Sequence, residues 1–261
     1  MHILITGAGG GMGLAACNLL SQAGHTVYGL DLQAPADAPM QFRKTDLTDE
    51  AEVSAAAAEL SSQGVRFDAI IHHAGLYDLG SLVELPQDRV QKIFDVNLFA
   101  AMRVNRLFLP LLNPDAKIIL TSSELAPLDP LPFTGIYAVT KTAVEKYAYS
   151  LRMELQLLGY TVTVLRPGAV ETKLLGVSTA RLDEFCEKTA LYCCNAARFR
   201  KIVNSVEARS VKPEKIAALD LKILKSRRPR YIYKCNRNPG LLLLNVLPQH
   251  LQTAIIRRIL R

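Results

Sequence analysis

At 261 residues with 49% hydrophobic content, the chain is long enough to bury a full core, and one α/β domain is expected rather than two small ones. No run reaches the ~18 apolar residues of a bilayer span, and the opening run His2 to Thr6 is too short and too poor in basic residues for a secretory leader, so a cytoplasmic protein is expected. Of the net charge of +7, the surplus lies at the end: from Arg198 onward 16 Lys and Arg face 3 Asp and Glu, a balance that suits an anionic membrane, nucleic acid or solubility.

The nucleic-acid use finds no support, since no zinc-finger, RNP or basic-zipper pattern is present. Five cysteines (Cys17, Cys186, Cys193, Cys194 and Cys235) make an odd set without a C-x-x-C pair, which points to reduced thiols and to neither a disulfide framework nor a metal site.

The first element is an apolar strand, His2 to Thr6, running into Gly7-Ala-Gly-Gly-Gly-Met-Gly13 and then a helix pattern through Leu14, Ala15, Leu19 and Leu20, closed by Gly24. Glycines permit close backbone approach, and free N–H groups at a helix start attract a pyrophosphate. A second strand, Thr26 to Asp31, ends in a carboxylate that can accept hydrogen bonds from an adenosine ribose and that repels a 2′-phosphate. Pro35 and Pro39 precede a short strand, Gln41 to Lys44, ending at Asp46-Leu47; a helix from Asp49 to Gln63 stops at Gly64. Asp68 to His73 reads as a fourth strand, continuously apolar through Ile71 as expected when both faces are covered. His72 and His73 are adjacent in it and so point to opposite faces, which favours structural roles over a shared metal ion.

Pro86 opens a long helix pattern through Leu112, with Asn97 in its middle. A fifth strand, Lys117 to Leu120, ends at Thr121-Ser122-Ser123 and places hydroxyls at the carboxyl edge, where ligands bind in such sheets. The next helix begins near Tyr137, reaches about Leu158 and ends at Gly159; it carries Tyr137 and Lys141 one turn apart on one face. A cation beside a phenol favours the phenolate, so this spacing predicts a tyrosine able to move a proton near neutral pH. Thr161 to Arg166 is the sixth strand, and Pro213 to Lys225 and Tyr231 to Lys234 read as a last helix and a seventh strand.

In this order and at these intervals, Thr6-Gly7-x-x-x-Gly11-x-Gly13, Asp31, Asn97, Ser122-Ser123 and Tyr137-x-x-x-Lys141 resemble the short-chain dehydrogenase/reductase family, with the likeness running from residue 2 to about 172. The resemblance implies a doubly wound parallel sheet (Rossmann type) in the order 3-2-1-4-5-6-7. It implies that Tyr137 is the acid-base, that Lys141 binds the nicotinamide ribose and lowers the tyrosine pKa, that Ser123 orients the carbonyl with Ser122 as the weaker candidate, and that Asn97 supports a water in the proton relay. It implies a cofactor cradle of Thr6, Gly7, Gly9, Gly11, Met12 and Gly13, with Asp31, Asp46, Leu47, His73, Ala74, Gly75, Tyr137, Lys141, Pro167, Gly168, Val170 and Thr172; the turn Pro167-Gly168 and Thr172 would lie beside the nicotinamide. Three departures stand out. The family's Asn-Asn-Ala-Gly is here His72-His73-Ala74-Gly75, and the interval from Ser123 to Tyr137 is one residue longer than usual, with Pro127 to Pro132 to absorb it. The glycines at 7, 10 and 13 also satisfy the spacing of epimerase-like relatives, against which length and the short serine-to-tyrosine interval argue.

The expectation is an NAD(H)-dependent alcohol dehydrogenase or carbonyl reductase, NAD preferred over NADP because of Asp31, with the alternatives of an epimerase- or dehydratase-like enzyme and a non-catalytic dinucleotide-binding regulator. Residues 1–240 form the catalytic domain, including a helical substrate lid at about 173–210, and 241–261 form a basic amphipathic tail. That tail resembles those of steroid- and retinol-active members, a pointer to an apolar alcohol or carbonyl substrate. In residues 248–261, Leu251, Ile255, Ile256, Ile259 and Leu260 recur at helical spacing beside Arg257, Arg258 and Arg261, a pattern that serves packing on the protein or a second subunit, or a peripheral membrane contact.

Overall fold

The computed structural model describes every residue except Ala38 and Ala208; the side chains of residues 173–179 and 205–207 lie outside the description. Strands β1 (His2–Thr6), β2 (Thr26–Asp31), β3 (Gln41–Lys44), β4 (Phe67–His72), β5 (Leu112–Thr121), β6 (Thr161–Pro167) and β7 (Ile232–Cys235) form one parallel sheet. Its order, β3-β2-β1-β4-β5-β6-β7, is the expected one. Alternate residues of each strand enter opposite cores, which is why the strands are apolar without a break. Ile3, Ile5, Ile71 and Ile119 pack under α1 (Gly11–Gln22), while Leu4, Ile70 and Ile118 pack with Val53 of α2 (Glu50–Ser62) on the other face.

Helix α1 begins at Gly11, earlier than Leu14, so Gly11 and Gly13 belong to its first turn. The long helix expected from Pro86 to Leu112 is present as a run broken in its winding: α3 (Gln87–Phe94), one turn of π-helix (Asp95–Phe99) and α4 (Ala100–Phe108), followed by a 3₁₀ turn at Leu109–Leu111. Strand β5 begins at Leu112 rather than Lys117. Phe67 pairs with Leu112 and Ala69 with Lys117, so an irregularity spanning Asn113 to Ala116 separates the two ladder segments, and Pro114 hid the first of them from a sequence reading.

Beyond α5 (Gly135–Leu155), α6 (Lys173–Lys188) and α7 (Cys193–Glu207) occupy the region expected to be helical, and α8 (Glu214–Lys225) packs beside α1. The terminal stretch is two helices, α9 (Pro239–Val246) and α10 (Gln249–Leu260), the first of which had no sequence expectation of its own. Phe133, Leu182, Phe185, Ala196, Phe199 and Leu260 make a third apolar cluster that joins α6 and α7 to α10. Among the described residues no helix is long and apolar enough to cross a membrane.

Candidate active site

The order β2-β1-β4 places the chain reversal of the sheet between β1 and β4, and the loops at the carboxyl ends of these strands open a crevice there. Gly7 leaves β1 with φ +73°, and a Cβ on it would stand 2.5 Å from the backbone nitrogen of Ala74. A Cβ on Gly9 would stand 2.2 Å from the carbonyl of Gln33. The turn therefore lies flat against the ends of β2 and β4, and α1 starts without a side-chain cap on its free N–H groups. Asp31 closes the crevice at the end of β2: one carboxylate oxygen accepts the Gly9 N–H at 2.8 Å and the other the Leu32 N–H at 2.6 Å. This side-chain-free cradle at a helix start fits the pyrophosphate of a dinucleotide.

Register adds a cation that the linear sequence conceals: Lys44 of β3 stands directly opposite Asp31. Asp46, by contrast, turns its carboxylate to its own loop, accepting the Thr48 N–H at 2.8 Å and the Thr48 hydroxyl at 2.7 Å, bonds that hold its pKa below the usual range. Leu47 packs at the edge of the core and meets Thr6, Ala74 and Asn97 around a small cavity. The Thr6 hydroxyl is buried without a hydrogen-bond partner among the described residues.

At the other end of the crevice, Met12, His73, Gly75, Ser123, Tyr137, Lys141, Pro167, Gly168, Val170 and Thr172 line one cavity of about 210 Å³. Gly11 meets the Thr172 side chain, which joins the glycine turn to this cavity. Tyr137 lies in the first turn of α5, and its phenol is hydrogen-bonded by Ser123. Ser122, one residue earlier, points the other way and donates to Glu145 at 2.8 Å. The alternation of a strand end thus separates the two serines.

Lys141 is buried, with its ammonium donating to the Thr121 carbonyl at 3.1 Å and standing 5.7 Å from the centre of the Tyr137 ring. The expected lowering of the phenol pKa is not what the protein alone produces. Burial pushes Tyr137 up to about 12, despite the Ser123 hydrogen bond, and pushes Lys141 down to about 8. Desolvation governs both groups because neither charge sees water.

The π-helical turn carries Asn97 inward. Its side chain accepts the Leu76 N–H at 2.6 Å and donates to the Leu76 carbonyl at 2.9 Å and to Thr140 at 3.0 Å, so it pins the loop after β4 to α5. The two histidines diverge as adjacent strand residues must: His72 bonds Asn105 at 2.9 Å on the α4 side, with its pKa lowered to about 4 by burial. His73 bridges Thr121 at 2.9 Å and Asp220 of α8 at 2.8 Å.

Several residues escaped the sequence reading. Tyr77 lines the cavity with its ring 4.7 Å from that of Tyr137. Glu124 is buried in the cavity wall and accepts the Asn238 N–H at 2.6 Å, just where Asn238 caps α9. Glu145 receives two bonds from Arg166, at 2.7 and 2.6 Å, and clamps α5 to β6. An acid after two serines was the available signal for Glu124; nothing local marks the others.

A family model described as short chain dehydrogenase matches residues 1–183. The chain is similar to a 3-ketodihydrosphingosine reductase of Bacteroides thetaiotaomicron, 26% identical over 88% of this chain and 85% of that one. It is also similar to an L-2,3-butanediol dehydrogenase of Corynebacterium glutamicum, 26% identical over 86% of each. A solved structure from Burkholderia phymatum, a short chain dehydrogenase/reductase in complex with NAD, superposes with a TM-score of 0.76 at 24% identity, covering 97% of this chain and 94% of that one.

Proposed function

The chain belongs to the short-chain dehydrogenase/reductase family, and from that premise we propose that it is an NAD(H)-dependent oxidoreductase interconverting an alcohol and a carbonyl on an apolar substrate. The observation that carries the reading is the meeting of Tyr137, Ser123 and Lys141 in a single cavity whose other walls include Leu125, Leu131, Val170 and Phe199. Nicotinamide, when bound, supplies or accepts the hydride. In the reductive direction the Tyr137 hydroxyl donates its proton to the carbonyl oxygen, and the Ser123 hydroxyl hydrogen-bonds the same oxygen. The Lys141 ammonium, held by Thr121, stabilises the phenolate left behind. Asn97 keeps the loop at Leu76 and Thr140 of α5 in register, so that the Lys141 side chain faces the crevice.

The pairing of Asp31 with Gly9 supports NAD(H) over NADP(H), because a 2′-phosphate would meet a carboxylate. The basic residues from Arg198 onward support a peripheral contact with anionic membrane, from which an apolar substrate would be drawn.

Tyr137→Phe is the test, since it deletes one hydroxyl and little volume. With a panel of ketones and both reduced cofactors, the variant is expected to bind NADH like the wild type and to lose about 10²-fold or more in kcat. Undiminished turnover in the variant would remove Tyr137 from the mechanism.

A further inference from the structure

The catalytic cavity holds a carboxylate that the reaction proposed above does not use. Glu124 lies in its wall, next in sequence to Ser123, and is only 7% exposed. Its Oε2 accepts the Asn238 N–H at 2.6 Å, whereas Oε1 has no hydrogen-bond partner among the described residues. Oε1 stands beside the Pro167-Gly168 turn, 2.9 Å from where a Cβ on Gly168 would lie, and Gly168 lines the same cavity. Burial raises the Glu124 pKa, and the Asn238 N–H and the Arg237 charge, which act the other way, do not offset it.

Neighbouring polar side chains of the cavity are engaged within the protein. Thr134 donates to the Leu131 carbonyl at 2.9 Å, Lys141 to the Thr121 carbonyl at 3.1 Å, and His73 is held between Thr121 and Asp220. Among the described residues no ion pair joins Glu124 to Lys141, although both face the cavity. Holding a backbone N–H does not require a charge, since a neutral amide oxygen accepts the same bond, and a buried acceptor left open costs stability. The second oxygen is accounted for when a ligand completes it.

We propose that Glu124 is a specificity-determining residue, whose free oxygen accepts a hydrogen bond from a hydroxyl or ammonium group that the substrate carries near the carbonyl held by Ser123 and Tyr137. The proposal rests on the oxidoreductase reading above and names its substrate class, a hydroxy- or amino-substituted ketone or the corresponding alcohol. The two ends of the site differ in chemistry: Ser123 and Tyr137 offer hydroxyl donors to a carbonyl oxygen, whereas an ionised carboxylate only accepts. A ketone without a donor leaves that acceptor open, and an anionic substituent is repelled by it.

The experiment is a calorimetric titration of the full chain, with NADH present, by 2-octanone, its 1-, 3- and 4-hydroxy derivatives and 3-amino-2-octanone, alongside NADH oxidation by the same ketones. At least one substituted ketone is expected to bind about 10- to 100-fold tighter than 2-octanone, the ratio that a hydrogen bond to a charged group corresponds to. The hydroxy and amino arms show which donor is preferred. Glu124→Gln keeps an oxygen for the Asn238 N–H and turns an amide N–H₂ toward the cavity, so the ratio should fall to about one. Glu124→Asp, which keeps the charge but draws it back by one methylene, should give an intermediate ratio and stands in if the amide variant does not fold. No substituted ketone preferred by the wild type, or a ratio preserved in the variants, would overturn the proposal; a loss of NADH affinity with that ratio intact would assign the carboxylate to the cofactor instead. A binding preference that Glu124→Gln abolishes, without turnover of any ketone with either cofactor, would sink the oxidoreductase reading and leave this subsite standing. Turnover of 2-octanone and its derivatives alike, without a preference, would do the reverse.

Discussion

Lys141 illustrates how one residue trades stability for chemistry. Its ammonium is buried with a single carbonyl partner, and its pKa falls from 10.5 to about 8 because the charge is desolvated. A base whose folded pKa is depressed penalises the folded state in full below pH 8, and the penalty is relieved as pH rises from about 8 toward 10.5. Lys141→Met should therefore raise stability without cofactor by about 2 kcal/mol near pH 7, after allowing for the lost hydrogen bond, while weakening NADH binding. Thermal melts would check it, and a lower Tm in the variant would show that the ammonium is a net stabiliser. In the wild type, the same value predicts that NADH affinity declines as pH rises above about 8, where the charge is lost.

Asp31 is the second residue whose role can be isolated. Its carboxylate holds Gly9 and Leu32, and Lys44 stands opposite it across the β2–β3 ladder. Asp31→Ser removes the repulsion and leaves Lys44 unopposed across the ladder from that position, so the ratio of NADP(H) to NAD(H) affinity should rise by about tenfold or more. Fluorescence titration of both reduced cofactors measures it. An unchanged ratio would mean that discrimination resides elsewhere in the crevice.

At the scale of elements, α5 is held at one end by the loop from Ser123 and along its length by Glu145. That carboxylate receives Arg166 of β6 twice and Ser122, just past the end of β5, once, so one side chain ties the helix bearing Tyr137 and Lys141 to the ends of two strands. Both members of the ion pair are largely shielded, with side-chain exposures of 14% and 15%, which makes removal of one partner costlier than at a surface pair. Glu145→Ala should destabilise the fold by about 2–4 kcal/mol and lower kcat more than it raises KM, since the proton donor would move relative to the carbonyl. Denaturant melts with steady-state kinetics would separate the two effects; a stability loss with unaltered kcat would assign Glu145 to the fold alone.

For the molecule as a whole, the terminal helix α10 joins the basic end of the chain to the cluster of α6 and α7. Ile256 and Leu260 of α10 pack into the apolar cluster of α6 and α7 with Phe133 and Phe199, and the Asn195 amide donates to the Leu260 carbonyl at 2.7 Å. Leu251, Ile255 and Ile259 remain exposed on the same helix. The helix thus has one packed side and one open side, and deletion of residues 248–261 is expected to lower Tm and loosen α6 and α7. A combined Arg257→Glu, Arg258→Glu and Arg261→Glu variant should keep Tm but reduce sedimentation with phosphatidylserine vesicles at low salt, an association that added salt should also release. No wild-type sedimentation at low salt would remove the membrane role.

Much of this architecture was legible in the chain itself, because local and periodic signals encode it. Apolar strands read as four to six residues long, alternating with helix patterns, point to a doubly wound sheet, and its order, implied by the family resemblance, is the one observed. The glycine turn, Asp31 and the Tyr137–Lys141 spacing are short-range features, readable without knowing what surrounds them. What only the tertiary structure decided are quantities that depend on neighbours distant in sequence. Register brought Lys44 to Asp31, the strand end turned Ser123 toward Tyr137 and Ser122 toward Glu145, and Asp220 met His73 from 147 positions away. The pKa shifts belong to the same class: the Tyr137–Lys141 spacing predicted a lowered phenol, but burial, a property of the whole packed molecule, pushed it up instead. Apolar residues in the tail could be counted in advance. Which of them pack against α7 and which line the groove between α9 and α10 was set by how α10 folds back on α7, a choice that helical periodicity alone leaves open.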